Sequence, residues 1–298
     1  MEQLSRRRFI TSSAALAAGA AGLAGCGGSD SISGTAATTE SGTANGRQLI
    51  ANFPQEGFVG VGEATRLPFL ITGADGAPLD VLSGPVTFRV SLDGRSVGAP
   101  IDVMPHAEGI PKAFLPLRTT FAEVGYHDIA ATYEGAELEP VTVNVQEDLV
   151  IPRVGTKLSP VATPTTSDPA GVSPICTRSP FCPFHDVSVD TSLVEQRPLL
   201  VLLSTPQFCS SAICGPVLEL LITASGQHPD VRVIHVEPYA DPNDVPSISL
   251  AKLSPFVSAT KFPYEPTLLV VSADGTILDR LDTVFDAKEL DAAFSSVA

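Results

Sequence analysis

The sequence has no tryptophan, two methionines and only five lysines in 298 residues. Basic side chains are scarce as a class: Lys and Arg number 18 against 33 Asp and Glu, for a net charge of −15. Such a surface repels nucleic-acid phosphates and anionic headgroups, which argues against nucleic acid as a partner. No glycine loop of the phosphate-cradling kind and no organic-cofactor motif is present, so no cofactor is expected. No apolar run reaches the roughly 20 residues of a comfortable membrane span. Hydrophobic residues still make up 44%, enough for ordinary packed cores, and the length suggests about two domains.

The few basic residues are placed unevenly. Ser5-Arg6-Arg7-Arg8-Phe9-Ile10 opens the chain, an uncharged stretch rich in Ala and Gly runs from Phe9 to Gly25, and Leu23-Ala24-Gly25-Cys26 closes it. The first motif, with Arg6 and Arg7, resembles the twin-arginine export signal. The last resembles the bacterial lipobox, in which the Cys thiol receives a lipid and the chain is cut just before it. The resemblance implies a signal peptide over 1–25, lipidation at Cys26, and anchoring to the outer face of the cell membrane. Residues 26–46 are small and polar with little to bury, as expected of a flexible tether.

From 47 to 148 short apolar runs alternate with Gly, Pro and Asp turns. Thr65–Ile71, Val86–Val90, Tyr126–Tyr133 and Val141–Val145 read as strands, the second ending at Asp93-Gly94 and the third at Glu134-Gly135. Regular short strands predict an antiparallel sandwich. Gly125-Tyr126 ahead of an alternating strand resembles the penultimate strand region of immunoglobulin-like folds. His106 and His127 stand alone and read as structural or surface residues, which leaves this region as a spacer or docking module.

Residues 149–174, rich in Pro, Ser and Thr, read as a linker or a wrapping segment, and 175–298 as α/β. Pro198–Ser204 is a continuous apolar run, expected of a strand covered on both faces. Leu218, Leu221 and Ile222 fall at helical spacing within Cys209–Ser225. Val231–Val236 and Thr267–Val271 read as strands, Ala273-Asp274-Gly275 as a hairpin turn, and Asp286–Phe294 as a helix capped by Asp286. This order, with Phe208-Cys209 after the first strand and Glu265-Pro266-Thr267 opening the hairpin, resembles the thioredoxin fold. One departure is plain: Cys209-Ser-Ser-Ala-Ile-Cys214 has four residues between its cysteines, where the family usually has two.

The resemblance implies thiol–disulfide exchange with Cys209 as the attacking sulfur, Cys214 as the resolving one and a cis Pro266 facing them. A helix start favours thiolate, and thiolate is the species that attacks disulfides. The five-residue offset requires Cys209 to precede the helix proper or the first turn to be irregular. With Cys26 lipidated, four cysteines remain, allowing three connectivities. Cys209–Cys214 is expected with Cys176–Cys182 as a structural clip, and a Cys182–Cys209 cross pair stays open. No metal site is expected. The chain after His235 holds no further His, so the distant ligand of Sco-type copper chaperones is missing; His228 and His235 read as a solvated turn residue and a packed strand residue, and His185 has no motivated role. The expected molecule is multidomain, an all-β immunoglobulin-like sandwich followed by an α/β thioredoxin-like domain. Its expected partners are thiols or disulfides of cell-envelope proteins. The contrasting expectation is a binding or scaffold lipoprotein with no turnover.

Overall fold

A computed structural model describes residues 46–209, 211, 213–243 and 252–297. Arg6, Arg7, Cys26 and the tether lie outside the described residues.

Strand-forming sequence dominates. Eight strands fall between Gln48 and Gln146: β1 (Gln48–Ala51), β2 (Val59–Gly60), β3 (Ala64–Thr72), β4 (Val86–Leu92), β5 (Arg95–Val103), β6 (Leu115–Thr120), β7 (Gly125–Tyr133) and β8 (Ala136–Gln146). They form a three-stranded sheet in the order β1-β3-β6 and a five-stranded sheet in the order β2-β8-β7-β4-β5. Pairing is antiparallel except between β2 and β8. Alternation does the sorting. In β4 Val86, Phe88, Val90 and Leu92 are buried while the residues between them are not. Val86, Phe88 and Val90 meet Leu67, Phe69 and Ile71 of the facing sheet in one shared core, the geometry of a β-sandwich. β5 was illegible in the sequence because it is an exposed edge strand without alternation. Its Gly98 and Pro100 are tolerated only at an edge.

The remaining strands build a third, four-stranded sheet: β9 (Leu199–Leu203), β10 (Arg232–Val236), β11 (Thr267–Val271) and β12 (Ile277–Asp282), in the order β10-β9-β11-β12. β10 runs parallel to β9; β11 is antiparallel to β9 and to β12. Both faces are covered, so β9 and β11 are unbroken apolar runs. Leu200, Leu202, Leu268 and Val270 face α2 (Cys214–Ser225) and α4 (Ala287–Val297). Leu199, Val201, Leu203, Leu269 and Val271 face the side of α1 (Val189–Val194) and α3 (Pro255–Thr260). Asp286 caps α4 by accepting the Glu289 N–H at 3.0 Å. Residues 149–174 wrap: Ile151 and Leu158 are buried in the α1/α3 core, and the Leu158 N–H donates to the Gly275 carbonyl at 2.9 Å.

The sandwich and the four-stranded unit meet through buried polar pairs. Arg66 of β3 donates to both carboxylate oxygens of Glu289 on α4 (2.7 and 2.5 Å) and to the Asp282 and Val284 carbonyls. His106 Nδ1 lies 3.0 Å from Asp286. His106 therefore works at this junction and is not an isolated surface residue.

Candidate sulfur sites

β9 ends at Leu203 and the chain turns through Thr205-Pro206-Gln207-Phe208-Cys209. The Phe208 and Cys209 N–H groups both donate to the Thr205 carbonyl (3.2 and 3.0 Å), and the Thr205 N–H donates to Glu265. Cys209 is half-buried and its Sγ lies 3.2 Å from Ser211 Oγ. Phe208 beside it is 43% exposed. Cys209 and Cys214 form a disulfide with a Cα–Cα distance of 6.0 Å, within the tolerated range.

As the five-residue offset requires, Cys209 precedes the helix proper. α2 begins at Cys214, which is fully buried. Pro216, which has no N–H to donate, then falls in the first turn, where N–H groups lack partners anyway; that placement was a second signal for the true start. The helix-start environment consequently belongs to Cys214, and the accessible position to Cys209. The Glu265–Pro266 bond is cis. Thr267 pairs with Leu203, which sets Pro266 at the end of the sheet from which the Cys209 loop departs. The Pro266 carbonyl accepts from Thr283 N–H at 2.7 Å, so it is not a free acceptor.

Two carboxyls lie under this loop. Burial pushes Glu265 up to about 7 against the Thr205 N–H that lowers it, and the charge of Glu237 adds to the rise. Burial raises Glu237 as well. Its Oε1 accepts the Thr177 N–H at 2.6 Å, and its Oε2 is buried without a partner among the described residues.

The second sulfur pair differs from its expected form. Cys176 and Cys182 are not joined; both are buried thiols. Local chain geometry is the reason. The segment around Cys182 runs along β10, with the His235 N–H donating to the Phe184 carbonyl at 3.1 Å, and this carries both sulfurs to imidazoles. Cys182 Sγ lies 3.1 Å from His185 Nε2 and 3.5 Å from His235 Nδ1; Cys176 Sγ lies 3.7 Å from His235 Nδ1. The two ring nitrogens are 3.3 Å apart. His235 Nε2 is 3.0 Å from both the carbonyl and the hydroxyl of Ser204, which turns Nδ1 toward the sulfurs. The Cys182 N–H donates to Cys176 Sγ at 3.5 Å. The Cys176 thiol is held far below its ordinary range, first by a hydrogen bond from Cys182, against burial, with His185 and His235 adding to the effect. Cys182 is pushed up by sharing its proton with Cys176 and by burial. His235 is raised: burial opposes its charge, but Cys176 and Glu237 outweigh that.

No protein-family model and no curated protein sequence matches the chain. Among solved structures, the filamin domain of Lin-41 is 17% identical, with 35% of this chain and 96% of that one covered at a TM-score of 0.25. The ZirS C-terminal domain is 13% identical, with 43% and 86% covered at a TM-score of 0.23. Neither overlap is close enough to bear on the site.

Proposed function

We propose that the chain exchanges thiols and disulfides through Cys209 and Cys214, on an immunoglobulin-like sandwich joined to a thioredoxin-like domain. The observation that carries this reading is the asymmetry of the disulfide, with one sulfur reachable and the other seated at a helix start. The strand order β10-β9-β11-β12, with β9 leading to the cysteine loop and a cis Pro266 opening β11, supports the thioredoxin-like part. The two-sheet core with Gly125-Tyr126 opening β7 supports the immunoglobulin-like part.

The step is a balanced exchange. A partner thiolate attacks Cys209 Sγ, the Cys209–Cys214 bond breaks, and Cys214 leaves as a thiolate favoured by the unpaired N–H groups of the first turn of α2. A second partner thiolate then attacks the partner's own sulfur in this mixed disulfide, Cys209 leaves as a thiolate, and the protein gains two electrons while the partner pair is oxidised to a disulfide. The reverse sequence reduces a partner. Neither direction needs a cofactor. Exposed Phe208 offers an apolar contact beside the reacting sulfur, and Glu265, with a pKa of about 7, is placed to hold or release a proton beneath the loop. The twin-arginine-like and lipobox-like motifs extend the proposal to an exported protein anchored through Cys26, acting on cell-envelope proteins.

The test is insulin reduction and oxidation of a reduced peptide dithiol, each with the Cys209→Ser variant alongside. Turnover by the unaltered chain, falling about a hundredfold or more in the variant, is the expected result. Turnover that survives Cys209→Ser, or its absence in the unaltered chain, leaves the binding or scaffold lipoprotein instead. Membrane release on Cys26→Ala is expected of the anchored form; retention refutes the lipid.

A further inference from the structure

Away from the disulfide, four side chains with metal-binding atoms converge: Cys176, Cys182, His185 and His235. All four are buried, and their ligating atoms lie within 4.8 Å of one another. We infer that Cys176, Cys182, His185 and His235 form a closed, four-coordinate binding site for one zinc ion, independent of the exchange chemistry at Cys209.

Geometry is the first support. With Zn–S near 2.3 Å and Zn–N near 2.0–2.1 Å, a regular tetrahedron has N–N edges of about 3.3 Å and S–N edges of about 3.6 Å. The observed N–N separation is 3.3 Å, three of the four S–N separations are 3.1, 3.5 and 3.7 Å, and the two remaining edges are within 4.8 Å. Four side chains from three stretches of chain thus already stand near the corners of a zinc tetrahedron.

Orientation is the second support. A metal-ligating imidazole commonly donates its other N–H to a fixed acceptor, which sets the tautomer and aims the lone pair. Ser204 does this for His235: its carbonyl lies 3.0 Å from Nε2 and leaves Nδ1 facing the sulfurs. The Cys182 N–H directed at Cys176 Sγ is a further donor suited to a thiolate. The local spacing Cys182-Pro-Phe-His185 sets two ligands three residues apart, a clip that a sequence reading centred on cysteine pairs passes over. His185 Nδ1 has no partner among the described residues, so packing alone orients that ring.

Charge selects the ion. Two thiolates and two neutral imidazoles carry −2, and a divalent cation leaves the buried cluster neutral. Monovalent copper would leave an uncompensated negative charge among apolar neighbours, which is costly. Mixed sulfur and nitrogen donors at tetrahedral corners suit zinc. Binding releases the thiol protons and reduces or oxidises nothing. With no open corner, the ion would hold structure instead of activating water. It would fasten the 176–185 segment to β10 directly beneath the exchange loop, where Thr177 Oγ1 accepts the Gln207 N–H at 3.2 Å.

The test uses the full chain purified under reducing conditions from zinc-supplemented medium. Elemental analysis is expected to find one zinc per chain, retained in Cys209→Ser and lowered about tenfold or more in Cys182→Ser and His235→Ala. Because those two variants risk misfolding, cobalt(II) substitution of the unaltered chain is the second measurement. Tetrahedral ligand-field bands with thiolate-to-cobalt charge transfer are expected. Absence of bound zinc, full occupancy in Cys182→Ser, an octahedral cobalt spectrum, or a Cys176–Cys182 disulfide isolated from the zinc-grown chain would each overturn the site.

Discussion

The chain carries two pairs of sulfurs within one small region, and their surroundings separate them. Cys209 and Cys214 are bonded, with one half-exposed in a loop and the other at the start of α2. Cys176 and Cys182 are unbonded, buried and faced by two imidazoles. Spacing alone would have treated both as local disulfides, since each is a short loop. What differs is the company: hydroxyl and solvent beside Cys209, ring nitrogens beside Cys182. On the proposed reading, the thiol pair that meets imidazoles in a buried pocket is held, whereas the pair with one open sulfur is exchanged.

The contrast can be broken most forcefully at His235. In His235→Ala a fully buried ring and its bonds to Ser204 are lost, and a cavity of that size beside unpaired polar groups costs about 3–5 kcal/mol. Denaturant melts of the metal-free chain should show that loss. A loss under about 0.5 kcal/mol, the size of an ordinary surface substitution, would mean the cluster does not hold the fold. Reducing Cys209–Cys214 should do less. That disulfide closes a short loop, for which chain entropy suggests about 2 kcal/mol. Melts with and without mild reductant, on Cys176→Ala/Cys182→Ala and on the unaltered chain, should show the same decrement in both.

A comparable effect is expected from pH. Glu265 titrates near 7 when folded against about 4.3 in an unfolded chain. A carboxyl raised by folding stabilises fully below its unfolded value, and that contribution is lost as pH climbs toward 7. Between about pH 4.3 and 7 the unaltered chain should therefore shed about 3 kcal/mol that Glu265→Gln keeps, its amide still able to accept the Thr205 N–H. Parallel stability curves for the two proteins would remove Glu265 from the site.

How much was legible in the sequence depends on the range of the signal. Alternation in β4 and β7 and the unbroken run of β9 are local patterns, and they located those strands to within a few residues. Asp286 was legible as a cap for the same reason. β1, β2 and β6 are short or weakly patterned, while the Cys209/Cys214 offset and Pro216 both pointed to a start of α2 after Cys209. The Cys/His cluster was invisible because its members are brought together by pairing, not by proximity. His235 sits 59 residues beyond Cys176, and only the path of the 182–185 segment along β10 joins them. In its strand, His235 alternates with apolar residues and reads as core, which it also is. Arg66 and Glu289, 223 residues apart, escaped notice on the same grounds.

The most direct measurement is a thiol-by-thiol alkylation map of the zinc-loaded full chain. After mild reduction, Cys209 should be labelled first and Cys214 only as its helix end opens, with Cys176 and Cys182 protected until a strong chelator is added. Labelling of Cys176 or Cys182 ahead of Cys209, or no change in their protection when zinc is removed, would contradict the division of labour between the two sulfur pairs.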